Sequence, residues 1–208
     1  MALPSHAPVR FTSRPVPESL KKRLSKQVCS FVLSVLFVAA FILFLLWLAL
    51  RPHRPRFHIS SFSASPFPPP ESSSPSFSVQ IAIRNPNRKI GFFFGPISGT
   101  VYFRSNQIAS NTDMGGPFFQ PPKNTKTVGA QLEGGSIEPL DAAGMQNDLS
   151  ENGYVNLRLV LKTTLRFRLS AWETHGARVM HVSCDVAVGS DGQIMAESKS
   201  KRCSMYFF

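Results

Sequence analysis

Apolar and polar residues alternate along most of the chain after residue 76. In residues 77–84, Phe77, Val79, Ile81 and Ile83 share one parity and polar side chains take the other. Successive side chains of a β-strand point to opposite faces, so this period of two predicts a half-buried strand. The same reasoning predicts strands near residues 57–65, 99–105, 125–132, 155–169, 178–188 and 201–208.

The longest alternating run, residues 155–169, exceeds the usual strand length of about 3 to 10 residues. We therefore expect a bulge or a change of sheet near Thr163 and Thr164. Residues 65–76, SPFPPPESSSPS, are rich in proline and serine and predict a loop, and the SDG at 190–192 predicts a hairpin turn. No helical pattern is sustained in this part of the chain. Many short strands of this kind indicate an all-β fold, an antiparallel β-sandwich of the immunoglobulin or fibronectin type.

A different pattern precedes the strands, because residues 28–50 include no charged residue, no proline and no glycine. As a helix, these 23 residues would be about 34 Å long, enough to cross a hydrocarbon core of about 30 Å. The apolar core of a signal peptide is shorter, about 7 to 15 residues, and no cleavage site of small residues follows. Residues 28–50 are therefore predicted to be an uncleaved signal anchor, a single transmembrane helix.

The basic residues lie mainly beside this span. The net charge is +11, but residues 57–208 have fourteen basic and eleven acidic residues, so a nucleic-acid partner is not indicated. Six basic residues precede the span and three follow it closely, which predicts a cytosolic N-terminus. The four nearest before it are Lys21, Lys22, Arg23 and Lys26. We divide the chain into a disordered basic cytosolic tail (1–27), the span (28–50), a stalk (51–56) and a folded domain (57–208).

The eight residues 84–91, RNPNRKIG, follow a predicted strand. Asn85 precedes a proline and is restricted to extended geometry, Pro86 has no N–H to donate, and Asn87 tolerates the left-handed region. Gly91 permits a further special backbone angle ahead of the aromatic run. The motif is interpreted as a fixed turn that ends the strand. The alternative is a recognition loop that presents residues 92–94.

Several motifs together resemble a known plant family. They are P-x-F-x-I-x-S-F at 55–62, RNPNRKIGFFF at 84–94 with Ile90 and Gly91, PFFQPPKNT at 117–125 and WETHGARVMHVSC at 172–184. Together they resemble the harpin-induced, non-race-specific disease resistance type, or NHL proteins. The resemblance implies a late embryogenesis abundant subgroup two domain, which is a β-sandwich, anchored at the plasma membrane or plasmodesmata. It also implies a role in defence and stress responses, and no catalytic site.

The three cysteines divide into a pair and a single residue. Cys184 and Cys203 have the inward parity of two predicted neighbouring strands. They form either a disulfide, which an oxidising compartment favours, or two buried free thiols. A disulfide here would close a loop of about 20 residues and stabilise the fold by about 3 kcal/mol. Cys29, at the cytosolic edge of the span, is either an acylation site or an ordinary apolar membrane residue.

No residue pattern indicates catalysis, a cofactor or a metal. His175, His181 and Cys184 form the only spacing that suggests metal ligands, H-x5-H-x2-C. His181 and Cys184 have opposite parity on one strand and so point to opposite faces, which argues against a shared metal. The chain also has no Gly-x-Ser-x-Gly, phosphate loop or paired-carboxylate pattern. We expect a protein that is not an enzyme.

The stripe Arg158, Lys162, Arg166 and Arg168 is the candidate binding face. It is either a contact for anionic lipid or acidic cell-wall polysaccharide, or a solvated strand face that discourages edge pairing. We expect a non-enzymatic binding or adhesion module, tethered in the plasma membrane bilayer and engaging an unidentified protein or wall partner. The alternative is a hydration domain that protects membranes during drying. A mean hydropathy of -0.02 with a patterned core argues against the expanded hydrophilic chain that this alternative needs.

Overall fold

A computed structural model describes residues 18–50, 53–169, 172–173, 176–199 and 201–207. The chain divides near Arg51 into two compact units, one containing the long N-terminal helix and the other containing the strands. The helices are α1 (Glu18–Leu50), α2 (Pro139–Asn152) and α3 (Ala196–Lys199). The first six strands are β1 (Arg56–Ser65), β2 (Ser76–Arg84), β3 (Ile90–Phe94), β4 (Ile97–Phe103), β5 (Asn106–Gly115) and β6 (Phe118–Gln120). The remaining five are β7 (Thr125–Gly134), β8 (Tyr154–Leu169), β9 (Trp172–Glu173), β10 (Arg178–Gly189) and β11 (Ser204–Phe207).

Helix α1 contains the predicted span. Its apolar segment Lys26–Leu48 is long and apolar enough to cross a membrane, and it is the one such helix in the described residues. The helix begins at Glu18, so residues 18–27 are helical and not part of a disordered tail. These residues, ESLKKRLSKQ, are mostly strong helix formers, which lets the helix extend past its apolar part. The prediction for residues 1–17 lies outside the described residues.

All eleven strands belong to one antiparallel sheet, whose main order is β1-β2-β7-β5-β4-β8-β10-β11. Strand β3 pairs with β6 and β8, and β9 pairs with β8. The sheet is curled into a half-barrel: β1, at one end of the order, forms bridges from His58 to Arg202 and from Ser63 to Gln193. The all-β prediction is confirmed in this form. A sandwich of the immunoglobulin type is not confirmed, since the described strands form one connected sheet.

Strand β8 is continuous over sixteen residues, and its pairing with β10 has no bulge. What changes near Thr163 and Thr164 is the strand on the other side. Residues up to Lys162 pair with β4, and residues from Leu165 onward pair with β3. Between the two, the N–H of Gly95 donates to the carbonyl of Thr164. The predicted irregularity is therefore a change of partner strand and not a break in β8.

The inward-facing residues of the strands form one hydrophobic core. The alternation predicted for β2 is confirmed, because Phe77, Val79, Ile81 and Ile83 are all buried. In β1 the alternation changes phase after Ile59, where a register shift in the pairing with β2 lets Phe62 point inward. Phenylalanine rings fill much of the core, with ring pairs Phe57–Phe94, Phe92–Phe94 and Phe62–Phe77 at centroid distances of 6.2, 6.1 and 5.8 Å.

Helix α2 corrects the expectation that no helix follows the span. It packs on β8 and buries Ala142 and Met145, while Leu140 is 79% exposed. The apolar residues thus do not follow a clear helical stripe, which is why the pattern was missed. Two end signals are present, because Pro139 lies in the first turn and Gly153 at the C-cap has φ 77°.

The loop and turn predictions are confirmed. Residues 66–75 form the non-strand connection from β1 to β2. At 190–192 the chain turns back so that the N–H of Gly189 donates to the carbonyl of Gln193, and Gly192 has φ 71°. A side chain at Gly192 would also collide with the carbonyl oxygen of Ala64, so this turn requires glycine.

Cys184 and Cys203 form a disulfide between β10 and the residue before β11. Both are buried, in agreement with their parity, and the bond closes a sequence separation of 19 residues. Because Cys184 is oxidised, its sulfur is not a thiolate that could bind a metal. Cys29 is a free, exposed cysteine in α1.

Removing the disulfide should destabilise the strand domain. Replacing both residues, Cys184→Ala with Cys203→Ala, frees the loop in the unfolded chain, so we expect the free energy of unfolding to fall by about 3 kcal/mol. Urea unfolding of the full chain in detergent, followed by circular dichroism, measures this change. Cys29→Ser is the matched control and should leave the midpoint unchanged. Equal midpoints for the double variant and the wild type would contradict a stabilising role.

Candidate functional site

The Asn-Pro-Asn turn is held by the buried side chain of Asn85. Its amide nitrogen donates to the carbonyls of Ile90 (2.9 Å) and Pro121 (3.1 Å). Its amide oxygen accepts from the backbone N–H and the side-chain amide of Asn87, both at 3.0 Å. A buried amide needs such partners to offset its desolvation, and here they lie on separate segments. Asn85 therefore fixes β2, the start of β3 and the loop after β6 together.

Asn87 connects the turn to the beginning of the domain. Its side-chain amide donates to the carbonyl of His53, and the N–H of His53 donates back to the amide oxygen, both at 2.8 Å. The pair imitates a backbone ladder and orders residue 53. Pro55 is buried and Arg56 already belongs to β1. The predicted stalk at 51–56 is thus shorter, since from His53 onward it is held by the domain, while residues 51 and 52 lie outside the description.

The fixed-turn interpretation agrees with these hydrogen bonds, but neither Asn87 nor Gly91 has the positive φ that the sequence suggested, so both positions have other structural reasons. Pro86 is half-buried between the two asparagines, and Ile90 is buried at the start of β3. Gly91 leaves room for its neighbour: a Cβ at Gly91 would lie 2.5 Å from the ring of Phe119 and would displace that ring. Of residues 92–94, Phe92 and Phe94 are buried in the core, so only Phe93 could serve a recognition role.

The half-buried Phe93 and the exposed Phe119 form a surface cluster with two arginines. Their ring centroids are 4.7 Å apart, and Phe119 is 41% exposed. The guanidinium of Arg168 lies over both rings, at 5.8 and 5.5 Å from their centroids. Arg166 pairs with Phe93 across the β3–β8 ladder and is also exposed. We call Phe93, Phe119, Arg166 and Arg168 the aromatic–basic cluster. Cation–π geometry of this kind orients the arginine on the two rings.

The structure divides the predicted basic stripe of β8. Arg166 and Arg168 belong to the aromatic–basic cluster, whereas Arg158 forms an ion pair with Asp185 at 2.9 Å. Lys162 is exposed and lies between the two, opposite Ser98 of β4. Parity along the strand predicted the shared face correctly. It could not predict the carboxylate of a neighbouring strand or the ring of Phe119, because these depend on register.

Predictions about metals and flanking charges concern residues that are only partly described. His181 is half-buried and stacks on Tyr206 at 5.6 Å, while Cys184 lies in the disulfide on the opposite face. His175 lies outside the described residues. Within the described chain, no three His, Cys, Asp or Glu residues are grouped as a metal site would require.

The basic residues before the span belong to α1. The backbone of Lys21, Lys22 and Arg23 is helical, and their side chains are not described. Lys26 is exposed at the start of the apolar segment.

A family model described as late embryogenesis abundant protein, LEA_2, matches residues 80–199. The chain belongs to the LEA_2 family. The matched region includes the Asn-Pro-Asn turn, the aromatic–basic cluster and Cys184, while His53 and Cys203 lie outside it. Membership of the LEA_2 family agrees with the resemblance that the sequence motifs indicated.

Several similar proteins come from Arabidopsis thaliana. NDR1/HIN1-like protein 1 is 25% identical over 87% of this chain and 90% of the relative, and NDR1/HIN1-like protein 3 is 28% identical over 69% and 63%. Protein NDR1 is 26% identical over 84% and 80%. The chain is thus an NDR1/HIN1-like member of the LEA_2 family. A solved structure of a protein from Archaeoglobus fulgidus aligns with 62% of this chain and 97% of its own length, at 11% identity and a TM-score of 0.34.

Asn85→Asp should destabilise the domain strongly even though it changes little in shape. The carboxylate cannot donate to the carbonyls of Ile90 and Pro121, and it places a buried charge against two oxygens. We expect a loss of about 3 kcal/mol or more in the free energy of unfolding, measured by urea unfolding as above. Arg88→Ala, an exposed change in the same turn, is the control and should cost less than about 0.5 kcal/mol. Similar losses for the two variants would contradict the role assigned to Asn85.

Proposed function

We propose that this chain is a single-pass, membrane-anchored and non-enzymatic binding module of plant defence or stress responses. The observation that carries the anchoring is the exposure of α1. The large hydrophobic side chains from Val28 to Leu48 are between 46% and 73% exposed. Water would disfavour this apolar surface by about 25 cal/mol per Å², and lipid removes that cost. The defence or stress role is supported by membership of the NDR1/HIN1-like LEA_2 family.

The charges beside the span favour one orientation. Six basic residues precede it and three follow closely, so the signal anchor would hold the N-terminus in the cytosol and the strand domain outside. The disulfide between Cys184 and Cys203 supports the same side, because such bonds persist in oxidising compartments. The proposed location is the plasma membrane, with plasmodesmata as a specialised part of it.

The aromatic–basic cluster supports the binding role. Phe119 and the two arginines form an exposed surface beside a cleft of ≈ 360 Å³, which Phe93, Arg166 and the Gly95–Pro96 segment help to line. Exposed aromatic rings with arginines recur at binding surfaces, where they provide apolar area and anion contacts together. The compact hydrophobic core favours this role over an expanded hydration chain, which would bury little.

Protease protection tests the anchoring and orientation. The full chain carrying a C-terminal tag is expressed in sealed microsomes, which are then treated with protease with and without detergent. We expect the tag to survive until detergent opens the vesicles, because the strand domain lies in the lumen. Loss of the tag from intact vesicles would place the domain in the cytosol. Release of the chain by alkaline carbonate would contradict a spanning helix.

A further inference from the structure

The exposed charges of the strand domain are separated between its two ends. Antiparallel register shows which segments share the end where His53 is held. Arg56 pairs with Arg84, which pairs with Thr125, and Ile90 pairs with Leu169. Farther along the sheet, Leu165 pairs with Arg178 and Met180 pairs with Phe207. The starts of β1, β3, β7 and β10 therefore meet the ends of β2, β8 and β11 at this end.

This end is strongly basic. Ten exposed basic residues lie on it, and we call them the basic end: Arg54, Arg56, Arg84, Arg88, Lys89, Lys123, Lys126, Arg166, Arg168 and Arg178. In the described segments of the same end, Glu173 of β9 is the only acidic residue. Counting the domain's charges together conceals this excess, since residues 57–208 have a net charge of only +3.

The opposite end is acidic. It consists of the β1–β2, β4–β5 and β10–α3 connections, the end of β7, and α2 with the segments around it. Its charged residues are Glu71, Glu133, Glu138, Asp141, Asp148, Glu151 and Asp191, with Arg104 and Lys201, which line one cleft with Asn156, as the basic exceptions. Arg104 forms an ion pair with Asp148 at 3.1 Å, which offsets its charge. The domain therefore has a permanent charge asymmetry along its strands.

Aromatic rings accompany the positive charge. Phe119 and Phe93 of the aromatic–basic cluster lie at the basic end, and Lys126 is 3.8 Å from the centre of the Phe118 ring. Aromatic side chains beside lysine and arginine are typical of protein surfaces at the membrane–water interface.

The chain itself limits how far the basic end can lie from lipid. The apolar segment of α1 ends at Leu48, and His53 is fixed to the domain by Asn87. Five residues span at most about 18 Å when extended. An anchored domain therefore has its basic end held close to the bilayer, at a high effective concentration relative to headgroups.

We propose that the basic end docks on anionic lipid headgroups in the non-cytosolic leaflet of the membrane that α1 spans, the leaflet that faces the strand domain, with the acidic end facing away. The inference rests on the proposed membrane anchoring and names a partner for the aromatic–basic cluster. Anionic headgroups attract each basic residue near the surface, and like-charge repulsion keeps the acidic end out. The short link to α1 favours lipid over a wall polysaccharide, because lipid headgroups always lie within the reach of this link and a polysaccharide does not.

Headgroup quenching of a site-specific label measures docking in the full chain. The chain is reconstituted in phosphatidylcholine vesicles, with or without phosphatidylserine, that contain a nitroxide-headgroup lipid. In a Cys29→Ser background, a fluorophore is attached at Thr125→Cys on the basic end or at Ser136→Cys on the acidic end. We expect phosphatidylserine to increase quenching at residue 125 by about threefold and to leave residue 136 unchanged. Raising the salt from about 0.1 M to about 1 M should abolish the increase.

Two charge-reversal variants separate docking from net charge. Arg84→Glu, Arg88→Glu and Lys89→Glu together reverse three residues of the basic end. Lys162→Glu, Lys199→Glu and Lys201→Glu change the net charge equally at exposed positions elsewhere. Only the first variant should lose the phosphatidylserine effect, with circular dichroism confirming that both are folded. Loss in both variants, or in neither, would overturn the assignment of the basic end.

Further outcomes distinguish the two proposals. If the chain fails to float with the vesicles after carbonate treatment, the anchoring is wrong and the docking falls with it. If it floats but residue 125 is quenched equally with both lipids, only the docking proposal is overturned. If phosphatidylserine has no effect while soluble polygalacturonate changes the residue 125 signal, an acidic polysaccharide is the partner instead.

Discussion

The buried amide of Asn85 is the interaction on which the arrangement of the strand domain depends. It lies where the chain leaves β2, which pairs with β1 and β7, and crosses to β3, which pairs with β6 and β8. Elsewhere these two parts of the sheet join through two residue pairs of β5 and β7, Ala109–Gly134 and Ser110–Glu133, and through the bridges from β1 to Arg202 and Gln193. The amide of Asn85 provides a further connection. Its donors and acceptors are directional, so they fix the crossing more specifically than apolar packing would.

The same crossing determines what the surface presents. With Ile90 held by Asn85, β3 runs against β8 and places Gly91 opposite Arg168. The missing side chain at Gly91 admits the ring of Phe119, and that ring helps position the guanidinium of Arg168. A structural turn and an exposed cluster are therefore consequences of one set of contacts. Sequence positions that look purely structural, such as Gly91, thereby influence a surface to which they contribute no side chain.

The sequence predicted the faces of strands better than their neighbours. Alternation identified the buried residues of β2 and β8, because a period of two is a local property. Whether β8 continues past Thr163 depended on β4 giving way to β3, which is a long-range event. Helix α2 was missed because its buried side includes Asp141, whose carboxylate accepts from the amide of Asn106 at 2.9 Å. Only its end signals, Pro139 and Gly153, were readable in advance.

The site was predictable to the same extent. RNPNRKIG indicated a fixed turn, but the role of Asn87 needed His53, which is 34 residues earlier in the chain. The two hydrogen bonds between Asn87 and His53 join the segment that leads from α1 to the turn, and the turn itself lies at the basic end. The covalent link to α1 and the basic residues thus act at the same end of the domain. The hydrogen bonds to Asn87 fix His53 to that end, and the basic residues favour its approach to an anionic surface. If the basic residues lay at the acidic end instead, their attraction to an anionic surface would draw toward the membrane the end that lies far from His53.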